Sequence, residues 1–167
     1  MKRLHVIGRK NHGKTTLVVA LIEELTGRGL RVGTIKHTHH RHELDVPGKD
    51  SHRHRTAGAT VVGVLSKGLS AVFLPSDDSG PSRDRYAPLA TVFASSDLVL
   101  VEGDSGTTAP KIEVWRAEVG SRPLAEEDLS VLAVVTDDDL PTAGLTLPRS
   151  DLQTLADWVI AWMNRSD

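Results

Sequence analysis

With 167 residues and a formal net charge of −2, the chain has the size of one domain and no basic excess for binding nucleic acid. It contains no cysteine, which excludes disulfides and thiolate zinc sites and gives no sign of an oxidising compartment. No apolar run approaches the roughly 18 residues that span a bilayer, and "MKRLHVIG" reaches a glycine loop too early for a signal peptide. The expectation is a cytoplasmic, membrane-free protein with one domain over residues 1–167.

A first strand is predicted at Arg3 to Ile7, ending at Gly8. Residues 14–28 have helical periodicity: Leu17, Leu21 and Leu25 lie four apart, with Val18 and Ile22 widening the apolar stripe. Gly27 and Gly29 end that helix, and residues 30–36 read as a second strand. Strand, glycine loop, helix and strand make a βαβ unit with a right-handed crossover. Residues 37–50 read as a loop, and 50–59 as a short helix with Asp50 or Ser51 as N-cap. Strands follow at 60–66 and 69–75, a turn-rich linker at 76–84, and a helix at 86–95. Residues 96–103 look like a buried strand, 110–116 like an alternating one, and 129–139 like the last strand. A final helix covers 150–164. This order predicts a P-loop-type α/β fold, with a doubly wound, mostly parallel sheet and helices on both faces.

Gly8, Gly13, Lys14 and Thr15 fit the pattern G-x-x-x-x-G-K-[ST], with a strand before it and a helix after it. Successive backbone N–H groups around Arg9 to Thr15 would form an anion nest, reinforced by the helix N-terminus. Lys14 should reach the β and γ phosphates and the Thr15 hydroxyl should ligate Mg²⁺. The intervening Arg9, Lys10, Asn11 and His12 are bulky and polar, and are expected to point to solvent as the nest uses backbone. A second acidic position is supplied by "DLVLVEG". Glu102 ends an apolar strand and is the candidate for holding Mg²⁺ through its bound water, with Gly103 allowing close approach. Asp97 is at the wrong end of that strand. Lys14 and Glu102 are the candidates for catalysis. Asp137, in "VVTDDD", either accepts the N1–H and exocyclic amine of guanine or belongs to a solvated turn.

His37, His39, His40, His42, His52 and His54 fall within 18 residues. They could bind a metal, but no Cys accompanies them and no helical His pair is predicted. Asp45 and Asp50 suit hard cations instead. Alternatively this loop leaves the carboxyl edge of the sheet and lies over the phosphates, where Asp45 would contact Mg²⁺ and Lys49, Arg53 and Arg55 an anion.

"GRKNHGKTTLVVALIEEL", "RGLRVGTIKHTHH", "DVPGKDSHRHRTAGA" and "LVLVEG" followed by "PKIEVWR" resemble the MobB family of accessory proteins in molybdopterin-guanine dinucleotide biosynthesis. The resemblance covers about residues 3–140. It implies a homodimer that binds GTP with Mg²⁺, hydrolyses it weakly and assists the MobA-type guanylyltransferase that joins GMP to molybdopterin. It assigns Gly8 to Thr16 to the phosphate loop, Glu102 to the metal side and Asp137 to guanine. Two departures stand out: the loop interior is usually small residues, and Glu-Gly is usually followed by an aromatic where this chain reads "DSGTT". The alternatives are a nickel-type metallochaperone GTPase using the histidine loop and a nucleotide-dependent scaffold without required turnover.

Overall fold

The computed structural model describes residues 1–38, 42–75, 84–140 and 144–165. In chain order the elements are β1 (Arg3–Ile7), α1 (Lys14–Gly27), β2 (Val32–Lys36), α2 (Asp50–Thr56), β3 (Val62–Leu65) and β4 (Ser70–Phe73). Then come β5 (Leu98–Glu102), β6 (Lys111–Val114), β7 (Val131–Val135), β8 (Thr146–Leu147) and α3 (Leu152–Arg165). Two compact units emerge, Met1–Thr38 with Ala90–Asp167, and His39–Leu89.

The first unit holds a six-stranded sheet in the order β2-β5-β1-β6-β7-β8. Every pairing in it is parallel. Side chains alternate along each strand. Leu4 and Val6, Leu98 and Leu100, Ile112 and Val114, and Ala133 and Val135 therefore share one face, where they form a core with Leu17, Leu21 and Leu25 of α1 and Leu155 and Val159 of α3. Each fully buried leucine contributes roughly 1.5–3 kcal/mol of transfer free energy, so this layer fixes α1 against the centre of the sheet. α1 ends in a Schellman motif. Gly29, at φ 88°, donates to Thr26 O and Leu30 to Leu25 O.

Among the described residues of this unit, the opposite face carries short turns rather than long helices. Phe93 lies against Gly33, where an added Cβ would come within 2.5 Å of its ring. Glu113 accepts from the backbone N–H groups of Leu124 and Ala125, at 2.8 and 2.9 Å, docking a 3-10 turn there. The expected helix at 86–95 is corrected by this arrangement. Only a 3-10 turn at Ala87–Leu89 forms, around Pro88, and the boundary between the two units falls directly after it.

Two further corrections concern β6 and β8. All four residues of β6 are buried, so its charges do not mark a solvent face. Lys111 pairs with Asp128 at 2.6 Å and donates to Ser105 O and Thr107 O. β8, a two-residue strand, follows the strand expected to be last and pairs with the end of β7.

In the second unit β3 and β4 form an antiparallel hairpin, Val62 opposite Phe73 and Leu65 opposite Ser70. Lys49 is the N-cap of α2 and makes no side-chain capping bond, which corrects the expected capping by Asp50 or Ser51. Ser51 instead donates to Asp45 Oδ1 at 2.9 Å.

Candidate functional site

The segment leaving β1 turns back at once. Gly8 adopts φ 140°, and an added Cβ would lie 2.5 Å from the carbonyl oxygen of Val114. The close pairing of β1 with β6 leaves no room for a side chain there. Asn11 takes φ 70° and Gly13 φ 87°. Gly13 is the N-cap of α1, and its carbonyl accepts the first helical hydrogen bond, from Leu17 at 3.0 Å. The loop therefore opens directly onto a helix N-terminus, which carries about half a positive charge.

Lys14 folds back across the loop and donates to Arg9 O at 2.7 Å. Desolvation lowers its pKa, Glu102 opposes that shift and Lys36 adds to it. Thr15 donates its hydroxyl to Glu102 Oε1 at 2.8 Å. Glu102 belongs to the same strand set, 98-100-102, that faces α1, which is why it meets the first turn of that helix. Thr16 is exposed one position further on, and Arg9, Lys10 and Asn11 are exposed as expected. Gly103 follows at φ 98°, with His37 O 3.1 Å from where its Cβ would be.

His12 departs from the expectation that the loop side chains point to solvent. It is 1% exposed. Its Nδ1 accepts from the Arg116 N–H at 2.9 Å, so the ring proton sits on Nε2 and is donated to Ser121 Oγ at 2.8 Å. Burial lowers its pKa, and Lys14, Arg116 and Arg9 lower it further. His12 is thus a neutral brace between the loop and the segment after β6, not a cation beside it.

Asp137 follows β7. Its Oδ1 accepts from the Ser150 N–H at 2.7 Å and from the Ser150 hydroxyl at 2.8 Å. These bonds, the backbone N–H of Arg149 and the Arg149 charge hold its pKa below the usual carboxylate value. Arg149 in turn reaches the glycine loop, its Nη2 lying 2.9 Å from the position of a Cβ on Gly13. Asp138 accepts from the Ala117 N–H at 2.8 Å. The two aspartates thus tie different loops to the end of β7.

Asp45 belongs to the second unit, whereas Thr15 and Glu102 belong to the first. Its Oδ1 accepts from Val46 N–H and Ser51 Oγ, and its Oδ2 is buried without a hydrogen-bond partner. His39 and His40 lie outside the described residues. His52 faces Glu43 at 3.6 Å, and Glu43 is also held by Arg55. Among the described residues no group of three or more His, Cys, Asp or Glu is placed to hold a metal ion. Nor is any described helix long and apolar enough to cross a membrane.

Lys36 was not anticipated. It ends β2, opposite Glu102 in the parallel register, and forms an ion pair with Glu102 Oε1. Only the adjacency of β2 and β5 brings the two together. Arg149 was also missed, because its place depends on the two-residue strand β8.

A sequence profile of the MobB family, described as Molybdopterin guanine dinucleotide synthesis protein B, matches residues 3–137. The chain belongs to the MobB family. It is 38% identical over 158 residues to the molybdopterin-guanine dinucleotide biosynthesis adapter protein of Escherichia coli K12, spanning 93% of this chain and 89% of that one. The adapter protein of the same name from Haemophilus influenzae is 36% identical over 161 residues, spanning 96% and 89%. The fold likewise resembles the crystal structure of a molybdopterin-guanine biosynthesis protein B, with a TM-score of 0.73 at 24% identity over 98% of this chain and 99% of that one. A MobB homologue from Bacillus stearothermophilus gives 0.66 at 25% identity, with the same coverage. The MobB profile reaches Asp137 and ends before Arg149.

Proposed function

We infer that this MobB chain binds GTP with Mg²⁺ and serves as an adapter in molybdopterin-guanine dinucleotide biosynthesis, assisting the guanylyltransferase that transfers GMP. The observation that carries the nucleotide reading is the 2.8 Å bond between Thr15 and Glu102 beside a positive-φ glycine loop at the N-terminus of α1. The loop N–H groups and the helix dipole bind phosphate oxygens, and the Lys14 ammonium leaves Arg9 O for the β and γ phosphates. Thr15 Oγ1 and Glu102 Oε1 are hard oxygen donors side by side, a set that suits Mg²⁺ better than a soft metal. Thr15 and Glu102 would hold the Mg²⁺, which would supply neutralisation of the phosphate charge.

Asp137 reads guanine in this scheme. A carboxylate offers about four acceptor positions, so two bonds from Ser150 orient it without exhausting it. Hydrolysis is slow, on the order of 10⁻⁴ to 10⁻³ per second, as in P-loop GTPases lacking a supplied arginine. A homodimer, a MobA-type partner carrying molybdopterin and a cytoplasmic location complete the proposal.

Calorimetric titration of the full chain with GTP and ATP, with and without Mg²⁺, tests it. Tighter binding of GTP that strengthens with Mg²⁺ is the expected result. A preference for ATP would remove Asp137 as the base reader, and binding of neither nucleotide would sink the phosphate-loop reading altogether.

A further inference from the structure

Lys36 and Glu102 end adjacent parallel strands and pair in register. The Lys36 ammonium donates to Glu102 Oε1, the oxygen that also accepts from Thr15. The Glu102 side chain is only 9% exposed and that of Lys36 is 61% exposed, so the ammonium approaches the carboxylate from the solvent side. Lys14 lies close enough to respond to both charges. The Lys36 ammonium sits on the buried Glu102 carboxylate. The ammonium of Lys14, one residue before the Thr15 that also bonds Glu102, is held at Arg9 O and adds a second cation to this end of the glycine loop. One of them suffices to neutralise Glu102. The second leaves one positive charge in excess, added to the loop N–H groups and the helix dipole.

Sheet order says which part of a ligand that charge would meet. Asp137 and Arg149 follow β7 and β8, on one side of β1, whereas Glu102 and Lys36 end β5 and β2, on the other. A nucleotide with its base at Asp137 runs its phosphate chain across Gly13 and Lys14 toward β5 and β2, so its terminal phosphate arrives at Lys36. The geometry points to Lys36 as a second phosphate-binding ammonium, which contacts the terminal phosphate of a bound nucleoside triphosphate and sets its preference over the diphosphate. This assignment rests on the nucleotide reading above.

The test is titration of the full chain and of Lys36→Met with GTP and with GDP in the presence of Mg²⁺. Methionine keeps the length of the stem at an exposed position, and thermal unfolding checks that the variant is folded. Loss of one charge-assisted hydrogen bond to the terminal phosphate is expected to shrink the preference for GTP over GDP by about tenfold or more. GDP affinity is expected to stay nearly unchanged. Equal weakening of both nucleotides would reduce Lys36 to a counter-ion of Glu102 and overturn the proposal, as would an unaltered preference. Failure of the unaltered chain to bind either nucleotide would overturn the nucleotide reading and this proposal together.

Discussion

His12 donates its Nε2 proton to Ser121 Oγ at 2.8 Å, so a side chain from the middle of the glycine loop is built into the protein interior. On the other side of the ring Nδ1 accepts from the Arg116 N–H, and that bond needs the neutral ring, because a protonated Nδ1 can no longer accept. Burial lowers the folded-state pKa of His12 below its ordinary 6.5. The unfolded chain then binds the proton more readily, and stability rises with pH across the interval between the two values. It is fully present above about pH 7 and is lost as pH falls below 6.5 toward the folded-state value. His5, buried with its pKa also lowered, adds in the same direction. The midpoint of thermal unfolding is expected to drop between pH 7 and pH 5. In His12→Gln, which has no titrating group, the drop should be smaller. An equal pH dependence in the variant would show that His12 does not carry the effect.

Removing the Glu102 charge separates its two roles. Glu102→Gln keeps an oxygen for the Thr15 hydroxyl but loses the anion paired with Lys36. The Lys36 side chain is mostly exposed, so its ammonium is re-solvated readily and the pair itself contributes no more than about 1 kcal/mol. Thermal stability should therefore change little. Nucleotide binding should respond more strongly: the gain in GTP affinity on adding Mg²⁺ is expected to fall by about tenfold, the worth of one charge-assisted contact. Titrations in Mg²⁺ and in chelator measure that ratio, and an undiminished gain would place the cation elsewhere.

Gly8 offers a test of the loop that needs no ligand. At φ 140°, an alanine would be strained in any surroundings, and its Cβ would also press within 2.5 Å of a backbone carbonyl held in β6. Gly120, at φ 72°, has nothing within 4 Å of the corresponding position. Gly120→Ala should cost about 1–2 kcal/mol from backbone strain alone, and Gly8→Ala a further 1–3 kcal/mol or so from overlap. Urea unfolding of the two variants compares them. Equal losses would mean that β1 and β6 part easily at this point.

How much of this was legible in the chain depended on range. β1, α1 and the loop between them follow from local signals: an apolar run, leucines four apart and glycines at fixed spacing. Glu102 was legible for the same reason, as the polar end of a wholly buried strand. Lys111 and Glu113 misled because alternating charges usually mark a wet face, whereas here each finds partners more than ten residues away in sequence, at Asp128 and at Leu124 and Ala125. Residues 86–95 have helical composition, but Phe93 is drawn onto Gly33 and the segment stays in turns. The Lys36–Glu102 pair was hidden for another reason. It depends on β5 inserting between β2 and β1, and no local pattern encodes strand order.

Asp137 gives the sharpest test of base recognition. Its carboxylate is anchored by the N–H and hydroxyl of Ser150, and the neighbouring Arg149 lies over Gly13. If the remaining acceptor positions read guanine, they take two donors, N1–H and the 2-amino group. Asp137→Asn exchanges one acceptor for an NH₂ donor, which clashes with the 2-amino group but matches the 2-oxo group of xanthine. The anchoring survives in part, because the asparagine oxygen can still accept from Ser150. The expected outcome is a switch in preference from guanine to xanthine nucleotides, with each favourable or unfavourable polar contact worth about 1–3 kcal/mol. Competition between GTP and XTP on the unaltered chain and the variant measures the switch. If the variant weakens both nucleotides alike, Asp137 serves only to fasten the β8 loop, and the base is chosen elsewhere.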